Sequence, residues 1–528
     1  MSQPDIIFIV LDTHRADRLG CYGYKRPLTP NIDQFAANAT LFEHAVSPAQ
    51  WTIPSHAAMF SGQYPTVHQV TQSSHALSPD LPHVAEVLQT AGYQTIGFCN
   101  NPLVGILDNG FKRGFETFYN YGGAIPNLPP TISRLPKLLQ PLTDAYTRLL
   151  QRISYPIQNF FGQSDLAFRL SLNAWFTPLW SKMANFKGQN ERSVQDVVRF
   201  LQAREQESDG RPLFLFLNLM ETHLPFWPPG PFIDQVAPYF RHSKEARAVL
   251  QRWNREAYRW AAPLAEPLAE LEARVLSDLY DAEVAYQDNY LGPLFDCLNG
   301  RSHHPDTLTI IVADHGDGLG EHSYFGHSFV AYEELVHVPL LLQWPRQLPQ
   351  PQRIATPVST RRIFHTILDS IGRLPHAAER VNPAEVHGLT LLRTAAGHDP
   401  EQGTALSEIY PPLNFVKAIE RRRPELIEPF GCLSLRRAVV RADEEGAAHK
   451  LIWVDDRPDA LFNLDADRVE LENLLEKRPL LAAALNQELT ELVQTVEARR
   501  GNPQTGGTAT LVADEQLLER LRGLGYLD

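Results

Sequence analysis

The chain is poor in sulfur, with 4 cysteines and 4 methionines in 528 residues. Cys21, Cys99, Cys297 and Cys432 stand far apart, without the close pairs of a zinc site or the density of a disulfide scaffold. Structural zinc held by thiolates is thereby excluded. Basic charge is also scarce: 48 Lys and Arg against 61 Asp and Glu give a formal net charge of −13. That balance argues against a broad basic face for nucleic acid or anionic lipid, while leaving room for a local basic pocket. No apolar stretch approaches the roughly 18 residues of a membrane-spanning helix, so no transmembrane segment is expected. The first residues run Met-Ser-Gln-Pro-Asp straight into an apolar run, with neither a basic n-region nor a small-residue cleavage site, and a cytoplasmic location is the expectation. Gly and Pro, 31 and 41 residues, fall short of the roughly 25–30% that marks low-complexity chains. A folded, soluble protein with a sizeable core follows, and its length alone corresponds to about three to four domains or one enlarged α/β core.

Three short runs rich in Ile, Val, Phe and Leu, at residues 6–11, 212–217 and 308–313, have the length and continuity of strands buried on both faces of a parallel sheet. Each ends in polar residues able to do chemistry: Asp12; Asn218 to His223; Asp314 and His315. Ligands of open α/β sheets bind beyond the carboxyl ends of strands, so the three ends point to one site. Helical stretches at 81–91 and 271–298 alternate with the strands, and the fold class is α/β, a doubly wound sheet with helices on both faces. Residues 125–190 and 225–267, the latter with Trp227, Trp253 and Trp260, read as helical insertions. They are either extra helices packed on the core or a lid over the site. The catalytic domain is expected to span 1–405. A smaller α+β region at 406–528 would hold strands at 435–441 and 450–454, an amphipathic helix at 479–499, a loose Gly/Thr-rich stretch at 501–510 and a terminal helix at 514–524.

A carboxylate at a strand end, such as Asp12, presents fixed oxygens to a hard or borderline cation, although turn or capping duty explains an isolated Asp equally well. The segment Trp51-Thr52-Ile53-Pro54-Ser55-His56 puts a hydroxyl at the start of a short apolar helix, where backbone N–H groups favour an anion. Thr52 is there a helix cap or a nucleophile, and as a nucleophile it needs a metal to lower its hydroxyl pKa. Asp314-His315-Gly316-Asp317-Gly318-Leu319-Gly320-Glu321-His322, continuing to His327, is the densest ligand cluster of the chain. His223, at the second strand end, is either structural or a site residue.

Together these pieces resemble the sulfatase family of the alkaline phosphatase superfamily. The resemblance runs from Asp12, Leu19-Gly20-Cys21-Tyr22-Gly23 and Thr29-Pro30-Asn31, through Thr52 to His56 and Ser61-Gly62, to Asp314-His315-Gly316, and ends at His449-Lys450-Leu451-Ile452 and Leu461-Phe462-Asn463-Leu464. It implies a metal-dependent ester hydrolase with Thr52 as nucleophile and one divalent ion held by Asp12, Asp314, His315 and Thr52. The imidazole favours manganese or zinc, with calcium a further option.

The departures from the family pattern bear on the reaction. Thr52 stands where sulfatases carry a Cys or Ser oxidised to formylglycine, and threonine cannot give that aldehyde because its β-carbon bears a methyl group. Thr-bearing relatives are typically phosphodiesterases and phosphotransferases that pass through a phospho-threonine. Thr13 replaces a second metal-binding Asp, and Leu219, four residues before His223, replaces a ligand of the two-metal relatives. His56 replaces an Arg, Asn100 a Lys and His327 a Lys; Asn100 and His56 are expected to bind substrate, and His223 and His327 to protonate the leaving oxygen or donate to the equatorial oxygens. A pocket with these exchanges is less cationic and suits a phosphodiester or phosphonate-ester monoanion. Sulfate-ester hydrolysis, phosphotransfer to an alcohol, and a catalytically silent binding module are the competing functions. The expected partner is a small-molecule phospho- or sulfo-ester rather than nucleic acid, and a homo-oligomer is compatible with the sequence.

Overall fold

The computed structural model describes residues 3–122, 127–129, 187–206, 210–302, 304–375, 380–443, 445–500 and 509–510. Along strand β1 (Asp5–Leu11), Ile6, Phe8 and Val10 enter one hydrophobic core while Ile7, Ile9 and Leu11 enter another. This is the period-two alternation of a strand covered on both faces. The first core is closed by helices Thr52–Ser61, Val84–Thr90 and Arg362–Ser370, the second by Pro30–Ala36, Asn190–Gln206 and Glu270–Asn299. Each fully buried Ile, Leu or Phe side chain contributes about 1.5–3 kcal/mol, which is why unbroken apolar runs end up at the centre of the sheet.

The central sheet also contains β2 (Thr40–Phe42), β3 (Gln94–Cys99), β4 (Thr117–Asn120), β5 (Leu213–Leu219), β6 (Thr307–Val312), β7 (Leu340–Gln343) and β8 (Gln352–Ile354). Their order is β8-β2-β7-β6-β1-β5-β3-β4. All pairings are parallel except those of β7 with β2 and with β6. The three strands read from the sequence are thus direct neighbours at the sheet centre. In register, Val10 of β1 lies opposite Asn218 of β5 and Val312 of β6, so the three carboxyl ends are level.

A second, antiparallel sheet is formed in chain order by β9 (Thr404–Ile409), β10 (Arg436–Ala442), β11 (Ala448–Val454) and β12 (Arg457–Asn463). Its first strand starts two residues before the expected boundary at 406. Helix Pro479–Arg500 covers one face through Leu485, Leu489, Val493 and Val496. The other face packs Ala405, Ala438, Val440 and Phe462 against Val46, Val330, Leu335 and Val336. Strand β9 is also tied to the loop before Thr52: Ser407 Oγ donates to the Ser47 carbonyl at 2.5 Å, and the Glu408 N–H to the Pro48 carbonyl at 3.0 Å.

Of the stretch 225–267, helices Gly230–Val236 and Lys244–Arg255 pack on the core, with Trp253 and Trp260 buried beside Phe325 while Trp227 is exposed. Most of the insertion expected at 125–190 and the terminal helix at 514–524 lie outside the described residues. No described helix is long and apolar enough to cross a membrane.

Candidate active site

Four adjacent strands deliver polar residues to one end of the sheet: Asp314 and His315 follow β6, Asp12 follows β1, His223 lies beyond β5, and Asn101 follows β3. The Asp12 N–H is fixed by the Leu219 carbonyl at 2.8 Å. Asp314 Oδ1 accepts from the N–H groups of Thr13 at 3.2 Å and His315 at 2.9 Å. The Asp314 carbonyl accepts from Ser47 Oγ at 2.5 Å and Ser55 Oγ at 2.7 Å. Thr13 reaches its position with φ of 59°, in the left-handed region that β-branched residues avoid, and its hydroxyl turns inward to donate to the Asp12 carbonyl at 2.7 Å. Gly316 is needed next to His315, because a Cβ there would lie 2.0 Å from the Glu334 carbonyl oxygen.

Asp12, Asp314 and His315 are fully buried, and one ligand atom from each can be chosen so that all lie within 4.8 Å of one another. Asp12 Oδ1 and Asp314 Oδ2 have no hydrogen-bond partner. Buried carboxylate oxygens are rarely left so, and two facing each other repel. Burial, followed by the charge of Asp314, pushes the Asp12 carboxyl up to about 8, and burial pushes Asp314 up to about 7. His315 Nδ1–H donates to the Gly316 carbonyl at 2.8 Å, leaving the Nε2 lone pair for the cluster, and burial lowers its pKa to about 4, so the ring is neutral. Two unsatisfied carboxylate oxygens and one neutral imidazole nitrogen form a donor set suited to a divalent cation.

Thr52 opens its helix, with Trp51 as the N-cap residue making no side-chain capping bond. Thr52 is therefore not the cap. Its Oγ1 lies 3.4 Å from His315 Nε2 and 3.4 Å from Asn101 Nδ2, beside the donor cluster.

Asn100 and His56, expected to bind substrate, both lie buried beside the cluster with their side chains turned to protein partners. Asn100 Nδ2 turns away from the cluster, donating to Ser193 Oγ at 2.8 Å and the Asn218 carbonyl at 2.9 Å. The next residue faces the site instead: Asn101 Nδ2 donates to Asp12 Oδ2 at 2.5 Å, while its Oδ1 caps the following helical turn at the Leu103 N–H. His56 is completely enclosed, with Phe60, Phe111 and Phe216 around its ring. Its Nδ1–H donates to the Thr52 carbonyl at 2.9 Å, and burial lowers its pKa to about 3. It is a neutral ring that backs Thr52 and lies 3.4 Å from Asp314 Oδ2.

His223 and His327 do meet, with ring centroids 4.9 Å apart, and His327 lies 4.6 Å from the His315 ring. Burial, then the proximity of His327, lowers the pKa of His223, and burial lowers that of His327 to about 3. Two imidazoles this close resist carrying two charges, so a bound anion would stabilise one proton on the pair. His223 Nδ1–H donates to the Leu224 carbonyl at 2.6 Å, and His327 Nδ1 pairs with Asp317 Oδ1 at 2.9 Å. Asn101 and the Lys187–Glu283 ion pair of 2.6 Å were not singled out from the sequence. The strand-end position of Asn101 was the one available signal.

The sulfatase family model matches residues 4–372, well over half of the chain. The chain belongs to the sulfatase family. As a sulfatase-family protein it is an ester hydrolase, from a family generally dependent on divalent metal. It is 22% identical over 374 residues to the uncharacterized sulfatase YidJ of Escherichia coli (strain K12), covering 70% of this chain and 68% of that protein. In fold it is similar to the phosphonate monoester hydrolase of Agrobacterium radiobacter, with a TM-score of 0.61, 18% identity and coverage of 94% of this chain and 96% of that one. The phosphonate monoester hydrolase SpPMH from Silicibacter pomeroyi matches at a TM-score of 0.62 and 18% identity, covering 97% and 100%.

In this sulfatase-family site Asn101 holds Asp12 from outside the donor cluster. Asn101→Ala is expected to weaken divalent-metal affinity about 10–100-fold with little change in fold, as measured by calorimetric titration of the metal-free protein. Unchanged affinity would remove Asn101 from this role.

Proposed function

We propose that this protein hydrolyses a phosphodiester or a phosphonate monoester through a covalent phospho-threonine at Thr52. The observation that carries the reading is the Thr52 hydroxyl at a helix start, 3.4 Å from His315 Nε2 and flanked by the Asp12, Asp314 and His315 donors. Asp12, Asp314, His315 and Thr52 would hold a single divalent ion, manganese or zinc by preference with calcium possible, which would lower the Thr52 hydroxyl pKa and offset charge on the non-bridging oxygens.

Thr52 Oγ1, as the oxyanion left once its proton has passed to solvent, attacks phosphorus, and the Oγ1–P bond forms as the bond from phosphorus to the alcohol oxygen breaks. The departing oxygen takes the one proton carried by the His223 and His327 pair. Water then attacks in line, the Oγ1–P bond breaks, and the pair recovers its proton. His56 and Asn101 keep Thr52 and Asp12 in place throughout. The free thiols of all four cysteines support the cytoplasmic location that goes with this reading.

The competing reading, sulfate-ester hydrolysis, draws on the sulfatase relatives. A matched panel of phosphodiester, phosphonate monoester, phosphate monoester and sulfate ester, assayed with elemental analysis of the purified protein, separates the two. Phosphodiester or phosphonate turnover is expected to lead by at least about 100-fold, or about 2.7 kcal/mol in transition-state binding. Sulfate turnover in the lead reverses the assignment.

A further inference from the structure

The segment from Met220 to Trp227, which carries His223, is pinned at several points. The Met220 N–H donates to Asn190 Oδ1 at 2.8 Å, Lys187 Nζ donates to the Glu221 carbonyl at 2.8 Å, and Thr222 Oγ1 donates to the Asp12 carbonyl at 2.8 Å. At the far end the Trp227 N–H donates to Glu283 Oε1 at 2.5 Å. The same Glu283 Oε1 accepts from Lys187 Nζ at 2.6 Å. One carboxylate oxygen therefore holds the arm at both ends, directly at Trp227 and through the lysine at Glu221.

Glu283 sits in mid-helix in Glu270–Asn299 and is wholly buried, a placement that costs several kcal/mol unless each charge is matched. Its matching groups are the Lys187 ammonium and the Trp227 N–H, and both belong to, or hold, the arm. The neighbouring Glu221 carboxyl is pushed well above its usual range by burial and by the charge of Glu283. Between the two pinned ends Thr222 holds the Asp12 carbonyl, His223 bonds to the Leu224 carbonyl with its ring edge-on to His327, and Phe226 packs against Trp260 and Tyr280.

We infer that Glu283, acting through Lys187 and the Trp227 N–H, is the positioning residue that sets His223 to deliver the proton to the leaving alcohol oxygen. The inference rests on the phosphoryl-ester reading above and divides the work of the two imidazoles: His223 serves the leaving oxygen, and His327, tied to Asp317, serves the non-bridging oxygens.

A proton delivered to the leaving oxygen matters for a poor leaving group and hardly at all for a good one. The metal-loaded protein is therefore assayed on 4-nitrophenyl phenylphosphonate and benzyl phenylphosphonate, which share the acid part. Glu283→Gln, which keeps an acceptor for Trp227 but removes the charge, is expected to lower kcat/KM on the benzyl ester about tenfold or more beyond its effect on the nitrophenyl ester. Lys187→Met, at a partly exposed lysine, should act in the same sense even if Glu283→Gln folds poorly, and Lys187→Arg should restore most of the loss. His223→Ala should show the same selectivity, and adding Glu283→Gln to it should add none. Equal losses on both esters in Glu283→Gln and Lys187→Met overturn the positioning role. A His223→Ala variant without selectivity overturns the assignment of the leaving oxygen to His223. Neither outcome touches the function proposed above, which fails separately if Thr52→Ala retains turnover.

Discussion

Thr52→Ala is expected to lower turnover by about 10⁴-fold or more while divalent metal still binds, its affinity weakened but not abolished by the loss of one of four donors. Removing the hydroxyl removes the attacking atom, whereas the carboxylates of Asp12 and Asp314 and the imidazole of His315 are untouched. Fold stability should barely move, because Thr52 Oγ1 makes only long contacts of 3.4 Å, to His315 and Asn101. Thr52→Ser keeps the oxygen and should keep measurable turnover. Rapid quenching with mass spectrometry should find a phosphoryl group on the peptide containing residue 52 in wild type and not in Thr52→Ala. Undiminished turnover in the alanine variant would place the attacking group elsewhere.

Asp314→Asn should show two effects of opposite sign. Divalent-metal affinity should fall by more than the 10–100-fold typical of losing an outer hydrogen-bonding partner of a ligand, and activity should fall with it. The metal-free protein should at the same time become less sensitive to alkali. Asp12 and Asp314 are raised to about 8 and about 7 from an ordinary 3.8, so the folded state holds their protons more tightly than the unfolded chain does. Their stabilising contribution is complete below about pH 4 and is lost as pH rises through about 7 to 8. Metal-free wild type should therefore lose Tm over that interval, and added cation should raise Tm more at pH 8 than at pH 6. The asparagine variant lacks one of the two titrations, so its metal-free Tm at pH 8 should equal or exceed that of wild type, and cation should no longer lift it. A Tm gain on metal addition that is independent of pH in wild type would mean that the carboxylates are not the groups being relieved.

The sheet centre was legible because β1, β5 and β6 are covered on both sides and so carry runs dominated by Ile, Leu, Val and Phe. The polar residue that ends each run marks the site for the same reason. Strand β7 was not legible as a reversed strand, since Leu340–Gln343 has the apolar composition of the sheet's parallel strands and only the chain path sets its direction. At the site, the strand ends bring Asp12, Asp314 and His315 within reach of one another. The choice between Asn100 and Asn101 was not legible, because consecutive side chains beyond a strand point oppositely and one residue decides which faces Asp12. The ring of His56 is held between Phe60 and Phe216, packing that a lone His in a short helix does not announce. Lys187 and Glu283 left no trace: a Glu within a long helix normally faces water, and its burial depends on a lysine 96 positions away.

The bonds from Ser407 and Glu408 to Ser47 and Pro48, together with the Gln50 Nε2 bond to the Tyr410 carbonyl at 3.0 Å, have a practical corollary for anyone trimming the chain. A fragment stopped at 372, where the family match ends, would retain every metal donor and the attacking hydroxyl. It would nonetheless release the strap that leads into Thr52 from the edge of β9, and with it the geometry on which attack depends. Strand β9 thus braces the loop that leads into Thr52.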